Sequence, residues 1–225
     1  DTEMFAGYGQ IYWQFSEAWK FDLGVRYTDE SKTYRNGDFI TYLGGAETPF
    51  YTGLKSDNSL QIWSWKTGLS WTPTDTMLLY ASIAKGFKSG GFFGGFPAEG
   101  EDSISPYKEE TNIAYELGLK SQWFDDTLRL NGSVFYYDYS DAQGYITVLN
   151  IIGTPSTRLG TVGDAEHKGV ELDLTWQATD QLSLQASAGW LDAEITDSDA
   201  VSLSWLGELV PLEGTKRANS PDFSY

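Results

Sequence analysis

A tryptophan followed by a short polar turn and an alternating apolar run occurs four times along the chain. The copies start at Trp13, Trp71, Trp123 and Trp176 and read WQFSEAWKFDLGVRY, WTPTDTMLLYASIAK, WFDDTLRLNGSVFYY and WQATDQLSLQASAGW. Their starts lie 58 (71−13), 52 (123−71) and 53 (176−123) residues apart. A repeated unit of strand, short turn, strand and long connection predicts a meander of antiparallel strands whose short turns share one end.

Within each copy, apolar and polar side chains alternate along the chain. From Trp19 to Tyr27 every second residue is apolar or aromatic, and the residues between them are charged or glycine. Because successive side chains of a strand point to opposite faces, such a segment has one apolar and one polar face. The pattern predicts eight strands at about 4–15, 18–30, 58–71, 76–88, 110–122, 127–141, 164–177 and 181–195. It also predicts that a ninth strand begins near residue 222.

The connections between the predicted strands alternate in length. Short ones lie near 16–18, 72–75, 124–126 and 178–180, and long ones near 31–57, 89–109, 142–163 and 196–221. Short turns at one end and long loops at the other are typical of outer-membrane β-barrels, in which the short turns face the periplasm.

Five tryptophans flank the short turns. Amphipathic aromatic side chains settle at the boundary between membrane and water. We therefore expect an aromatic girdle at the periplasmic edge of the membrane, formed by Trp13, Trp19, Trp71, Trp123 and Trp176.

Alternation alone fits a soluble β-sandwich as well as a membrane barrel. The predicted strands, however, have at least about 12 residues, whereas soluble strands commonly have roughly five or six. A strand that crosses a bilayer needs roughly nine to eleven residues. Strand length, the rhythm of the connections and the tryptophans together favour an all-β fold, an antiparallel up-and-down transmembrane β-barrel.

Composition excludes several classes of function. A net charge of −17 argues against a nucleic-acid partner, since phosphate binding needs a basic surface. With no cysteine and one histidine, disulfides, thiolate-bound metals and the usual nucleophile–base pairs are absent or nearly so. We therefore expect no enzyme activity, no metal and no cofactor. The mean hydropathy of −0.36 suits a membrane barrel, in which every second side chain faces a polar interior.

Two places in the sequence are candidates for ligand contact. The glycine-rich segment 90–96 carries Phe92, Phe93 and Phe96, which can stack on a flat ligand or fold over a bound one. His167 shares its predicted face with carboxylates of the seventh strand. The alternatives are phenylalanines that pack on neighbouring loops and a histidine that is an ordinary polar residue of the wall.

Several segments resemble the β-barrel domain of TonB-dependent outer-membrane receptors. They are YASIAKGFKSGGF from Tyr80, YELGLKS from Tyr115, LRLNGSVFYYDY from Leu128, GVELDL from Gly169 and KRANSP from Lys216, in the order of the family. The resemblance covers nearly the whole chain. It implies that residues 1–225 are part of that domain, about eight to nine strands of a barrel of about 22, and that the plug domain is absent.

The resemblance also implies a function. Such receptors import scarce, bulky nutrients, most often ferric siderophores, through a plugged barrel in the Gram-negative outer membrane. Their partners are outer-membrane lipid, their own plug domain and a TonB-type energy transducer. Five cations are expected to face the barrel interior: Lys20, Arg26, Lys85, Lys120 and Arg129. They could contact the plug, steer an anionic ligand or pair with the carboxylates of Asp22, Glu116, Glu171 and Asp173.

Two other interpretations are open on the sequence. One is a complete small outer-membrane barrel with an adhesive or structural role, which the strand signal still running near 222 disfavours. The other is a secreted β-sandwich that binds carbohydrate through exposed aromatic side chains.

Overall fold

The computed structural model describes residues 1–35, 39–43, 46–51, 55–94, 104–149 and 153–225. These ranges hold no helix that is long and apolar enough to cross a membrane. Their strands are β1 Thr2–Gln14, β2 Trp19–Arg35, β3 Phe39–Leu43, β4 Ala46–Tyr51, β5 Lys55–Thr74, β6 Met77–Lys88, β7 Gly91–Gly94, β8 Ile104–Tyr107, β9 Glu110–Trp123, β10 Leu128–Leu149, β11 Pro155–Thr179, β12 Leu182–Asp197, β13 Val201–Leu203, β14 Leu209–Pro211 and β15 Phe223–Ser224.

Nine of these strands form one antiparallel sheet in the order β1-β2-β5-β6-β9-β10-β11-β12-β15. Each strand pairs with the next long strand along the chain, so the sheet is the up-and-down meander that the repeat predicted. The hairpins β3–β4, β7–β8 and β13–β14 are inserted in the connections at one end, which we call the loop end. The opposite end, with the short connections, is the turn end.

The turn between β9 and β10 shows how the polar turns reverse the chain. Phe124, Asp125 and Asp126 have φ angles of 54°, 54° and 66°. Aspartate enters this left-handed region more readily than most residues. Both the backbone N–H and the hydroxyl of Thr127 donate to the Phe124 carbonyl oxygen, at 3.2 and 2.8 Å. The turn is therefore fixed by its own residues directly after Trp123.

One predicted loop is wrong. Residues 142–163 were expected to form a long connection, but β10 continues to Leu149 and β11 begins at Pro155. The ladder passes through an irregularity after Tyr139, where Asp141 has a φ of 52°, and then resumes. The resumed part is rich in β-branched and aromatic residues, which favour strands, so the pairing outlasts the irregularity.

The sheet has two chemically different faces. Phe21 pairs with Leu69 on one side of β2 and β5, and Asp22 pairs with Gly68 on the other. We call the side of Phe21 the apolar face and the side of Asp22 the polar face. Leu117, on the apolar face, remains 59% exposed, because no second large sheet covers it among the described residues. The two-layer β-sandwich is therefore wrong for this chain.

Aromatic side chains border the apolar face at both ends. Trp19 and Tyr27 lie eight residues apart on β2 (27−19), and so do Trp71 and Trp63 on β5 (71−63). Eight residues extend about 26 Å along a strand. With strands tilted by about 40°, this distance gives roughly 20 Å across the membrane. Once the rings at each border are added, the height matches the roughly 25 Å apolar band of outer-membrane barrels.

The packed core of the described residues is small and lies at the loop end. Its members come from β5, β10, β11 and β12 and are Leu60, Ala142, Val162, Ala165, Ala193 and Ile195. Elsewhere, no second large sheet of described residues covers either face. The loop end is therefore where polar side chains become buried and positioned.

Candidate functional site: the polar face and its loop end

Most of the predicted interior cations lie on the polar face: Lys20, Arg26, Lys120 and Arg129. The prediction that Lys85 faces the interior is wrong, because Lys85 pairs with Trp65 and Ile113 on the apolar face. The start of β6, residues 77–81, is apolar on both faces. The sequence of β6 therefore did not show which of its side chains, Lys85 among them, point to the polar face.

The expected ion pairs of these cations are not formed. No carboxylate of the described side chains lies within 4.0 Å of the free polar-face cations, which are Lys20, Arg26, Lys66, Lys88, Lys120 and Arg129. Opposite charges such as Lys20 and Asp22 lie two residues apart on one strand, about 7 Å along it. Lys20 instead lies 4.7 Å from the ring centroid of Tyr12. The polar face thus offers cations to whatever occupies the space in front of it.

Arg26 and Lys66 border a depression of about 590 Å³ that is lined mostly by the polar face. Gly24 and Gly86 form part of its floor. A Cβ atom on Gly86 would lie 2.6 Å from Asn112 Oδ1, so the absence of a side chain there leaves room for the amide. Two cations beside a polar floor can hold an anionic group through charge-assisted hydrogen bonds.

At the loop end, Gln143 connects β10 to both ends of the β6–β9 connection. Gln143 is buried, with only 5% of its surface exposed. The amide nitrogen donates to the carbonyl oxygens of Ser89 at 3.0 Å, Lys108 at 2.9 Å and, more weakly, Lys88 at 3.4 Å. The backbone N–H of Gln143 donates to Glu110 Oε2 at 2.6 Å.

Arg217, from the connection between β12 and β15, completes this network. Its Nη2 donates to the Gln143 carbonyl oxygen at 3.3 Å and lies 3.6 Å from Glu110 Oε2. The guanidinium lies over the Tyr139 ring, 5.2 Å from its centroid. The Tyr139 ring is in turn 4.6 Å from the His167 ring. Two connections and the wall therefore meet at one polar cluster.

His167 lies on the polar face, as the sequence predicted, and pairs with Tyr137. Its Nε2 atom is buried and has no hydrogen-bond partner among the described residues. A buried nitrogen without a partner is unusual and is commonly satisfied by water or a bound group. Its role in ligand binding stays a prediction.

Two of the candidate phenylalanines, Phe92 and Phe93, lie on β7 of the β7–β8 hairpin. The Phe92 ring is 5.9 Å from Tyr34 of β2, so this side chain packs on a neighbouring strand. Phe93 is half-buried, and Phe96 lies outside the described residues. Lys32 of β2 donates to the Gly90 carbonyl oxygen at 2.8 Å and holds the start of the hairpin against the wall.

Lys108 fastens the other end of this hairpin to the β10–β11 pair. Its ammonium lies 3.0 Å from Asp141 Oδ1, and its backbone N–H donates to Thr161 Oγ1 at 3.3 Å. The hydrogen bond to Asp141 raises the pKa of Lys108 above its ordinary value.

The sequence did not single out Glu110, Gln143 or Arg217. Each is a common polar residue in a predicted loop or at a strand end, and their contacts join positions 33 to 74 residues apart. The described side chains contain no group of three or more histidines, cysteines or carboxylates able to hold a metal ion. The site is thus a polar wall with a loop-end cluster.

The whole chain, residues 1–225, matches the model of one protein family, described as TonB dependent receptor-like, beta-barrel. Among curated proteins, the chain is 27% identical over 197 residues to the pesticin receptor of Yersinia enterocolitica, covering 87% of this chain and 27% of that protein. It is 24% identical over 193 residues to the metal-pseudopaline receptor CntO of Pseudomonas aeruginosa, covering 84% and 24%. The chain therefore spans about a quarter of the length of these relatives.

Solved structures with the same fold include two receptors. The ferric yersiniabactin uptake receptor FyuA from Yersinia pestis matches with a TM-score of 0.72 at 19% identity, over 99% of this chain and 30% of that one. The siderophore receptor PiuA from Acinetobacter baumannii matches with a TM-score of 0.70 at 20% identity, over 99% and 30%. In both cases the nine-stranded sheet corresponds to part of a larger barrel.

Proposed function

Because the chain belongs to the TonB-dependent receptor β-barrel family, we propose that it forms part of the wall of an outer-membrane importer for a ferric siderophore. The observation that carries the proposal is the two-faced sheet, with an aromatic-bordered apolar face and a polar face on which Lys20, Arg26, Lys66, Lys88, Lys120 and Arg129 have no carboxylate partner among the described side chains. A wall between lipid and a plugged polar interior requires both faces. The turn end then faces the periplasm and the loop end faces the outside of the cell.

The siderophore class rests on two supports. The siderophore receptor PiuA and the ferric yersiniabactin uptake receptor FyuA share this fold. The depression beside Arg26 and Lys66 offers two cations without carboxylate partners among the described residues, which suits an anionic ligand. The free cations are equally suited to carboxylates of a plug domain, which we propose the complete protein contains.

We also propose a route for the ligand. Phe92 and Phe93 stand on a hairpin at the loop end, and His167 lies below it on the polar face with a free Nε2. We propose that the phenylalanines make the first aromatic contacts with a ligand and that His167 contacts it deeper in the wall. We keep Phe96, which lies outside the described residues, as a candidate contact on the sequence alone.

Energy for transport would come from a TonB-type transducer acting on the plug. This part of the proposal depends on segments of the complete protein beyond the wall. It predicts that uptake by the complete protein stops when the proton gradient of the inner membrane is collapsed, while binding to the cell surface continues.

The experiment is an uptake assay with the complete protein that contains this chain. A Gram-negative strain without its own siderophore receptors is supplied with the gene and offered a panel of siderophores loaded with radioactive iron. Gene-dependent and transducer-dependent iron uptake with one of them supports the proposal. Uptake that is absent for every siderophore but present for haem or cobalamin would contradict the ligand class and retain the importer.

A further inference from the structure

We propose that Gln143, Glu110 and Arg217 form a two-part clamp that releases the β12–β15 connection before the β6–β9 connection. The clamp joins segments that are distant along the chain. The bonds of the Gln143 amide to Ser89 and Lys108 span 54 and 35 residues, and the contact of Arg217 with Gln143 spans 74.

The Gln143 half of the clamp is tight. Its side-chain amide donates to the carbonyl oxygens of Lys108 and Ser89 at 2.9 and 3.0 Å, within the range of good N–H···O geometry, and its backbone N–H donates to Glu110 Oε2 at 2.6 Å. The residue is 5% exposed, so water cannot readily replace the backbone partners. Breaking these bonds would leave a buried amide unsatisfied, which is more costly than losing an exposed hydrogen bond.

The Arg217 half is loose. Its contacts with the Gln143 carbonyl and the Glu110 carboxylate are 3.3 and 3.6 Å long. Strong charge-assisted bonds are shorter, about 2.7–2.9 Å. The Arg217 side chain is 21% exposed, so water can take over its donors when it leaves. Arg217 can therefore detach while Gln143 keeps its bonds. Gln143 contacts Glu110 and Arg217 through its backbone N–H and carbonyl oxygen, so its side-chain amide holds only the β6–β9 connection.

The two halves hold different parts of the loop end. The Gln143 half holds the base of the β7–β8 hairpin through Ser89 and Lys108. The Arg217 half holds the segment that follows β14, which also bonds to β12 through the Arg217 N–H and the Ala193 carbonyl oxygen at 3.0 Å. If the proposed importer function is correct, this order opens one side of the entrance while the aromatic hairpin stays in place.

Hydrogen–deuterium exchange tests the order directly. The complete protein is measured in detergent without ligand, as wild type, as Arg217→Gln and as Gln143→Ala. We expect Arg217→Gln to speed exchange about five- to thirtyfold in peptides covering 209–217 and to leave peptides covering 88–94 unchanged. We expect Gln143→Ala to speed exchange in peptides covering 88–94 and to leave 209–217 unchanged, because Arg217 bonds the backbone carbonyl oxygen that the substitution keeps.

Controls separate the clamp from a general loss of structure. Lys55→Gln removes an exposed ion pair with Asp57, 2.8 Å long, that joins no two connections, and it should change neither set. Arg217→Lys keeps the charge and should restore part of the protection in 209–217. Unchanged exchange in peptides covering 182–190 shows that the sheet is intact.

Three results would overturn the proposal. The first is equal acceleration of both sets of peptides in Arg217→Gln. The second is Gln143→Ala that leaves peptides covering 88–94 protected. The third is wild-type protection of 209–217 in Arg217→Gln. None of these measurements needs a ligand or transport. The clamp can therefore be contradicted while the proposed function stands, and the proposed function can be contradicted while the clamp stands.

Discussion

Trp19 and Trp71 lie face to face across β2 and β5, with ring centroids 5.5 Å apart and ring planes at 12°. They are direct partners in the strand ladder and both point to the apolar face. Phe15, in the turn before β2, stacks on the other side of Trp19 at 6.4 Å. The turn-end border is therefore a packed aromatic cluster at this place.

The stacked pair should contribute measurably to the stability of the wall. We expect Trp71→Ala to lower the free energy of unfolding in lipid vesicles by about 1–2 kcal/mol, because the stacking contact and its anchorage at the interface are lost. A double-mutant cycle with Trp19→Ala should give a coupling of about 0.5–1.5 kcal/mol. Urea titration of the complete protein, followed by its heat-dependent gel mobility, measures both values.

The matched control for the pair is Trp205→Ala. Trp205 is 92% exposed in the turn of the β13–β14 hairpin, so its loss should change stability by less than about 0.5 kcal/mol. Equal losses for Trp71→Ala and Trp205→Ala would mean that the aromatic border has no anchoring role.

Neighbouring residues of β10 separate a lipid-facing side from an interior side. Leu130 lies on the apolar face and Asn131 on the polar face, and Leu130 is two residues from Leu128, which pairs with the border residues Trp123 and Trp176. We expect Leu130→Arg to destabilise the complete protein in vesicles by about 1–3 kcal/mol, since the cost of a lipid-facing arginine falls from about 2–4 kcal/mol at the bilayer midplane to about 0–1 kcal/mol near the interface. Asn131→Arg should cost less than about 1 kcal/mol. A larger loss of stability for Asn131→Arg than for Leu130→Arg would mean that lipid lies against the polar face.

The long-range order of the sheet was accessible from the sequence because local signals agree with one another. Trp19 to Tyr27 alternates in hydrophobicity, the turn at Asp125 contains its own reversal chemistry, and strand neighbours are consecutive in the meander. Such consistency between pattern, turn and topology is what specifies a fold. Eight strands and the start of the ninth were therefore placed within a few residues at the turn end.

The loop end could not be predicted in the same way. Gln143 stands after an irregularity in β10, in a region that looks like a loop in the sequence, and its partners come from other connections. Arg217 reaches Glu110 across the described fold, and no local pattern encodes that contact. Lys85 was assigned to the wrong face because β6 begins with apolar residues on both sides. Polar contacts between distant segments depend on tertiary packing.

Gly90 is expected to resist any side chain. A Cβ atom there would lie 2.5 Å from the Tyr107 carbonyl oxygen and 3.0 Å from the Glu109 nitrogen, both backbone atoms. Gly90→Ala should therefore displace the start of the β7–β8 hairpin and make the 88–109 connection more sensitive to protease, by about tenfold in cleavage rate for a local cost near 1.4 kcal/mol. Gly7→Ala is the control, since nothing lies within 4 Å of its Cβ position. Equal sensitivity in the two variants would contradict the close packing.

The candidate ligand residues can be separated by what each side chain touches. Phe93→Ala and His167→Ala should each weaken binding of the siderophore found in the uptake assay by about tenfold, because one aromatic or hydrogen-bonding contact of about 1.4 kcal/mol is lost. Titration of the purified complete protein, followed by quenching of its tryptophan fluorescence, gives the affinities. Unchanged affinity in both variants would remove these residues from the site.

Phe92 needs its own comparison, because its ring already packs on Tyr34 at 5.9 Å. If Phe92 contacts the ligand, Phe92→Ala should weaken binding by about tenfold more than Tyr34→Ala, which removes only the packing partner. If Phe92 acts only by holding the hairpin against β2, the two variants should lose affinity equally. A Tyr34→Leu variant keeps an apolar surface under the Phe92 ring. If Phe92 acts only by packing, Tyr34→Leu should bind the siderophore as well as the wild type does. If Phe92 contacts the ligand, Tyr34→Leu should bind it with the same affinity as Tyr34→Ala.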